Sequence, residues 1–295
     1  MAPAIRPEPR PVRLQDVLPP TLRHPPDDHG LAITGVSLDS RGIRPGDLYA
    51  ALPGHHTHGA HYVSSAVSAG AVAILTDPAG SELCRQAGLP LVVAADPREI
   101  LGDIASRIYG EPWRNLQIIG VTGTNGKTTV SAMVESGLRV AGRSTGLIGT
   151  VGVRIAGVEH PGVRTTPEAP DLQAILAVMR DSGVDTVVME VSSIAIEEHR
   201  VDGLVFDLVA FTNLSQDHLD YHGSMEAYFA AKARLFMPAR ARSGIVGVDD
   251  EWGRRMAAVA RVPTQTWSLL DSHADWHAVR AVSYTHLTLP TNREV

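Results

Sequence analysis

The feature that most limits the fold lies near the middle of the chain. An apolar run rich in β-branched residues, Leu116–Thr122, leads into Gly123-Thr124-Asn125-Gly126-Lys127-Thr128-Thr129, after which Lys127–Val140 carries its apolar residues at helical spacing. A buried strand that turns through glycines into a helix belongs to a parallel sheet covered by helices. The glycines let the backbone fold around an anion, and the helix start offers unpaired N–H groups and a positive dipole end. Lys127 adds charge there, and the Thr128 hydroxyl can ligate Mg²⁺. The spacing is a compact variant of the usual G-x-x-x-x-G-K-[ST], because Val121 stands five positions before Gly126. A glycine turn beside a surface lysine is the plainer alternative, and the strand and helix on either side argue against it.

Short apolar runs recur on both sides of this unit. Before it come a turn at Arg44–Asp47 feeding the run Leu48–Leu52, a helix over His61–Ala69, strands at Val72–Thr76 and Leu91–Ala94, and a helix over Pro97–Tyr109. After it, Thr186–Val191 and Leu208–Thr212 read as buried strands. Gly110-Glu111-Pro112 breaks the pattern, so the expected division is a leader over 1–30, a small α/β domain over 31–111 and a larger parallel-sheet domain over 112–280. The leader, rich in Pro and Arg, is expected to be loosely ordered apart from a short helix around Leu14–Leu18. A chain of 295 residues exceeds one ordinary core, which agrees with two domains.

Composition excludes several classes of protein. Hydrophobic residues make up 44% of the chain, yet no unbroken apolar run reaches the roughly 20 residues a membrane helix needs. The start lacks the apolar centre of a secretion signal, so a cytoplasmic location is the default expectation. A net charge of -6 argues against general nucleic-acid affinity, which draws on an excess of Lys and Arg. Cys84 cannot pair within the chain and reads as a packed small residue. His55, His56, His58 and His61 raise the idea of a zinc site, but no Cys or carboxylate completes a familiar ligand pattern.

The loop Gly123–Thr129 resembles the ATP loop of the Mur ligases and of the folylpolyglutamate synthases, which activate a carboxylate as an acyl phosphate for attack by an amine. Leu38-Asp39-Ser40-Arg41, followed by Pro45–Ala50, is similar to the amino-terminal domain of the Mur ligases that add the third peptide residue, a domain the folate enzymes lack. That resemblance implies a P-loop-type ATPase domain behind a UDP-substrate domain. It also implies Mg²⁺, and as substrates ATP, UDP-N-acetylmuramoyl-L-alanyl-D-glutamate and a diamino acid (meso-diaminopimelate or L-lysine). A monomer is the default expectation, with no nucleic-acid or membrane partner.

The same resemblance assigns residues. Gly123, Thr124, Asn125, Gly126, Lys127, Thr128 and Thr129 would bind ATP, with Lys127, Glu190, His218 and Lys232 catalytic. Thr128, Glu190, His218 and Lys232 would hold the metal, with Lys232 carbamylated so that its ammonium becomes an anionic oxygen ligand. Leu38 and Ser40 would meet the uridine, and His55, His56 and Thr57 the diphosphate. Thr165, Thr166, Ser192, Glu198 and Arg200 would bind the muramoyl peptide, the two threonines also capping the helix after Pro167. Two positions depart from the family pattern: Ile194 stands where His is common, and Glu198 stands for a Gln. The resemblance runs from about Leu31 to about Ala260. Ser283–Val295 reads as foreign sequence, the family's Rossmann-like carboxyl-terminal domain is expected to be missing, and the chain as given is expected to lack ligase turnover. A folylpolyglutamate synthase-like ligase and a non-catalytic nucleotide-binding module are the alternatives.

Overall fold

Parallel strands buried on both faces organise the computed structural model, which describes residues 5–20, 22, 30–54, 56–162 and 164–278. In chain order the first part holds strand β1 (Val12–Arg13), helix α1 (Leu14–Val17), β2 (Ala32–Ile33), β3 (Gly35–Ser37), β4 (Asp47–Ala51), α2 (Val63–Ser68), β5 (Ala73–Thr76), α3 (Pro78–Arg85), β6 (Leu91–Val93) and α4 (Pro97–Ile108). Strands β3 to β6 form a four-stranded parallel sheet in sequence order. Side chains alternate across a strand, and β4 uses both faces. Leu48 and Ala50 pack with α1 and α4, whereas Tyr49 and Ala51 pack with α2 and Cys84 of α3. Burial raises the pKa of the Cys84 thiol, in keeping with a packing role.

Helix α3 was not expected from the sequence, because Pro78-Ala79-Gly80 reads as a loop. Asp77 explains it: its carboxylate accepts the Gly80 N–H at 2.7 Å, and Pro78 fills the first helical position, where no N–H is needed.

The second part holds β7 (Gln117–Thr122), α5 (Lys127–Val140), β8 (Thr145–Gly149), β9 (Gly152–Ile155), β10 (Val158–His160), α6 (Ala169–Asp181), β11 (Thr186–Glu190), α7 (Ser193–Glu197), β12 (Leu208–Phe211), α8 (Leu219–His222), α9 (Met225–Ala233), β13 (Gly244–Gly247), α10 (Glu251–Val259), β14 (Thr264–Ser268) and β15 (Trp276–His277). Its nine strands run in the order β10-β9-β8-β11-β7-β12-β13-β14-β15. They are parallel from β8 to β15, and β9 and β10 fold back antiparallel at one edge.

This order decides where a ligand can sit. After β7 the chain crosses to β8, leaving a place beside β7 that β11 fills later, while β12 lines its other side. The carboxyl end of β7 therefore opens on a crevice where the crossovers part, the usual ligand position in such sheets. In register, Val121 lies beside Glu190 and Thr122 beside Phe211, so the loops after β7, β11 and β12 leave the sheet at one level.

The two sheets share a packed seam. Ala174 and Ala177 of α6 belong to the core formed by α1, α4 and the first sheet. Gly102 on α4 is required by this approach, since a Cβ there would strike the Asp202 carbonyl. The leader differs from its expectation. Helix α1 lies where it was anticipated, and parts of the segment before it are held against the sheets while residues 8–11 are exposed. Ile5 contacts the core of the larger sheet, and Arg6 donates to Asp47 at 2.5 Å and to the Val36 carbonyl at 3.0 Å. Val12 and Arg13 pair with β2.

Candidate active site

The phosphate loop is shaped by contacts from the loop after β12. Gly123 adopts φ 146°, and a Cβ there would collide with the Thr212 hydroxyl, so only glycine fits. Asn213 Oδ1 accepts the Asn125 N–H at 3.0 Å, and Thr212 Oγ1 donates to the Asn125 carbonyl at 2.7 Å. Gly126, at φ 82°, then turns the chain into α5. The α5 N-terminus thus begins at the end of β7, while the Thr124 and Asn125 N–H groups are held by Asn213.

Positive charge is concentrated at this loop. Lys127 Nζ donates to the carbonyls of Gly123 and Thr124, both at 2.9 Å. Lys232, on α9, donates to the same Gly123 carbonyl at 3.0 Å. Lys232 is 1% exposed, and no carboxylate is paired with it among the ion pairs of the described residues. Burial foremost, and then the charge on Lys127, push its amine down to about 7 against the pull of Asp217. Burial also lowers Lys127, offset in part by Glu190 and Asp217.

Glu190 ends β11, 2% exposed. Its Oε2 accepts from the Thr128 hydroxyl at 2.9 Å and the Thr150 hydroxyl at 3.1 Å, and Oε1 accepts the Thr150 N–H at 2.9 Å. The carboxylate is thus satisfied by neutral donors, with its charge uncompensated at hydrogen-bond range. Buried anions of this kind are paired or bind metals. His218, in left-handed backbone at φ 50°, sits edge-on to Tyr228 with ring centroids 6.1 Å apart, and Lys232 Nζ lies 4.5 Å from the centroid of that same ring. Lys127, Glu190, His218 and Lys232 are therefore linked through one set of contacts around Gly123–Thr128. Among the described residues, no three His, Cys, Asp or Glu side chains are grouped to hold a metal ion.

A Mur ligase middle domain model matches residues 121–289, more than half of the chain, and a model of the Mur ligase family catalytic domain matches residues 32–109. The chain belongs to the Mur ligase family. A Streptomyces coelicolor protein named UDP-N-acetylmuramoyl-L-alanyl-D-glutamate--2,6-diaminopimelate ligase is 54% identical over 92% of this chain and 54% of its own length. A Corynebacterium glutamicum protein of the same name is 52% identical over 84% of this chain and 49% of its own length. A solved structure bearing that enzyme name superposes with a TM-score of 0.76 at 28% identity, covering 91% of this chain and 54% of that one. This Mur ligase chain thus spans about half the length of the curated relatives it matches.

Other predicted positions of this Mur ligase fall into three groups. Leu38 and Ser40 follow β3, and His56 and Thr57 follow β4, so both segments gather at the carboxyl edge of the small sheet. His55 lies outside the described residues. Thr165, Thr166 and Ser192 lie beside Glu190: Thr165 Oγ1 is 3.1 Å from Thr150 Oγ1, and Thr166 donates to the Glu190 carbonyl at 2.9 Å while accepting the Ser192 N–H at 3.1 Å. Arg200 is 3.1 Å from Glu168 and 2.5 Å from Glu198. Arg98, from the small α/β part, reaches the same Glu168 at 3.3 Å.

One expectation is corrected. Glu168, not a threonine, occupies the cap of α6, and neither Thr165 nor Thr166 bonds its N–H groups, because Thr166 is engaged at the end of β11. Ser192 does cap a helix, accepting the Ala195 N–H at 3.1 Å. Of the other histidines singled out, His58 Nδ1 accepts the Ala60 N–H and its Nε2 lies 3.0 Å from Asp77, which gives that ring a structural partner. Sequence reasoning missed Thr150, Asn213 and Tyr228. Thr150 follows β8, a strand whose Gly-interrupted sequence hid it. A polar residue just past Leu147-Ile148 was the available signal.

Proposed function

We propose that this chain carries the UDP-substrate and ATP sites of a ligase joining 2,6-diaminopimelate to the D-Glu of UDP-N-acetylmuramoyl-L-alanyl-D-glutamate. The convergence of Lys127 and Lys232 on the Gly123 carbonyl, beside the buried Glu190–Thr128 pair, is the observation that carries the reading. The relatives' names supply the two substrates.

In this reading the loop N–H groups and Lys127 bind the transferring phosphates and stabilise the charge that develops on them. The D-Glu side carboxylate attacks the terminal phosphorus of ATP, forming an O–P bond as the bond to the ADP oxygen breaks. A diaminopimelate amine then attacks the carbonyl carbon, forming the amide as phosphate leaves and the amine loses a proton. Thr165, Thr166, Ser192 and Arg200 hold the peptide, with Glu198 modifying that contact, and Leu38, Ser40, His55, His56 and Thr57 hold the UDP end.

Thr128, Glu190, His218 and Lys232 would hold Mg²⁺. The chemistry of the residues fits: the buried Glu190 carboxylate meets only neutral donors, and Lys232, bonded to the Gly123 carbonyl of the phosphate loop, has an amine lowered to about 7. A neutral amine can add to CO2, forming an N–C bond and releasing one proton to leave a carbamate, which is an oxygen ligand suited to a hard cation. When bound, Mg²⁺ supplies charge neutralisation for phosphoryl transfer.

The test is calorimetric titration of the chain with ADP and, separately, with the UDP-muramoyl dipeptide. Binding of both is expected, with Lys127→Ala weakening ADP by roughly ten- to hundredfold and leaving the sugar peptide alone. Binding of a folate in place of the UDP-sugar, or of neither ligand, would overturn the reading. Spectra of ¹³C-bicarbonate-treated chain should show a carbamate carbon that Lys232→Arg removes.

A further inference from the structure

Tyr228 has no part in the chemistry above, yet it touches both halves of the site. Its side chain is buried on α9, 1% exposed. The hydroxyl lies 3.1 Å from Thr124 Oγ1 in the phosphate loop, and the ring face lies 4.5 Å from Lys232 Nζ.

The hydrogen bonds of Thr124 define the direction of the first contact. Thr124 Oγ1 donates its single proton to the Ser215 carbonyl at 3.2 Å and accepts the Ser215 N–H at 3.0 Å. With that proton given to the Ser215 carbonyl, the Tyr228 hydroxyl acts as donor to Thr124, and Ser193 is a second side-chain partner of the same hydroxyl. His222 stacks on the same ring at 5.0 Å with an interplanar angle of 29°, and its Nε2 is fixed 2.9 Å from Ser193 Oγ. His218 approaches the edge. The ring therefore has little freedom to turn, and its two contacts with the site are set together.

We propose that Tyr228 is a positioning residue that fastens the phosphate loop to α9, so that Thr124 and Lys232 hold one arrangement before any nucleotide arrives. The proposal rests on the reading of Gly123–Thr129 as the nucleotide loop. A donor removed from a satisfied hydroxyl frees the loop, whereas the ring alone keeps the Lys232 side chain in place.

Three variants separate these contributions. Tyr228→Phe keeps the ring and loses the donor, Thr124→Val removes the partner, and the double variant closes the cycle. The probe is a fluorescent ADP analogue titrated in EDTA and again with Mg²⁺, alongside thermal unfolding of each protein. Each single variant should weaken the probe about three- to tenfold in both conditions, and the double variant should be no weaker than the worse single. Tyr228→Phe should keep the ¹³C carbamate signal, because the ring that packs against Lys232 stays in place. Wild-type affinity in Tyr228→Phe, or losses that multiply in the double variant, would overturn the proposal with the nucleotide reading intact. Failure of the unaltered chain to bind the probe would overturn both. A Tyr228→Phe protein that fails to fold would itself oppose a role confined to positioning, and Thr124→Val then gives the loop-side measurement.

Discussion

At the scale of single residues, the site is a small set of buried polar groups whose partners are almost all neutral. Glu190 shows the consequence. Thr150 gives it two of its three hydrogen bonds, from backbone and hydroxyl. Thr150→Val keeps shape and backbone but takes one donor from a buried carboxylate, so we expect a loss of about 1–3 kcal/mol in urea unfolding. Thr165→Val, whose hydroxyl only meets the outward side of Thr150, should cost much less by the same measurement. The chemistry of this set was legible in part. Lys127, Thr128, Glu190 and Lys232 each carry a local signature, the first three at a helix start or strand end and Lys232 in the last turn of α9 within the run Tyr228–Lys232. Thr150 and Tyr228 carry none, since a threonine after a glycine and a tyrosine in a helix have dozens of ordinary uses. Their importance arises from what other strands bring to them.

Elements tell the same story at larger spacing. The helices predicted at Lys127–Val140 and Pro97–Tyr109 appear within a residue of their expected ends, because amphipathic spacing and a clear start define them locally. Strands β8, β9 and β13 went unread: Gly146, Gly149, Gly152, Gly244 and Gly247 lower strand propensity, and only the neighbouring strands restore it. Gly146 lies under Met179, Gly244 under Phe236 and Gly247 under Trp267, so the space there is already occupied. Helix α4 makes the corresponding demand at the seam. Gly102→Val would push α4 off the Asp202–Gly203 segment, and a loss of about 1–3 kcal/mol is expected in denaturant unfolding. Val at the open position Gly137, where nothing lies within 4 Å, is the control for helix propensity.

For the whole molecule, the leader and the seam bind the two sheets into one body. Arg6 is 6% exposed at its side chain and Asp47 2%, so Arg6→Ala strands a buried carboxylate. A loss of about 3–5 kcal/mol is expected, with the thermal transition splitting in two if the leader couples the sheets. Asp202 gives the seam a pH dependence. Burial raises its carboxyl, but hydrogen bonds from His199 and Arg240 outweigh that and hold it below the ordinary carboxylate value of 3.8. A depressed folded pKa means this stabilisation is complete above 3.8 and is lost as pH falls through the lower folded value. Asp202→Asn should therefore flatten the acid limb of unfolding free energy against pH.

The chain's own order determined the local units: a glycine loop between a β-branched strand and a helix, capped helices, and carboxylates placed at strand ends. These follow from backbone freedom, side-chain period and capping, which act over a few neighbouring residues. Only the tertiary structure decided that β11 and β12 flank β7, and so that Glu190, Asn213 and Lys232 meet one loop, with Thr150 bonded to Glu190. Strand order is set by which buried faces and crossovers fit together across the whole sheet, and no short stretch of sequence encodes that choice.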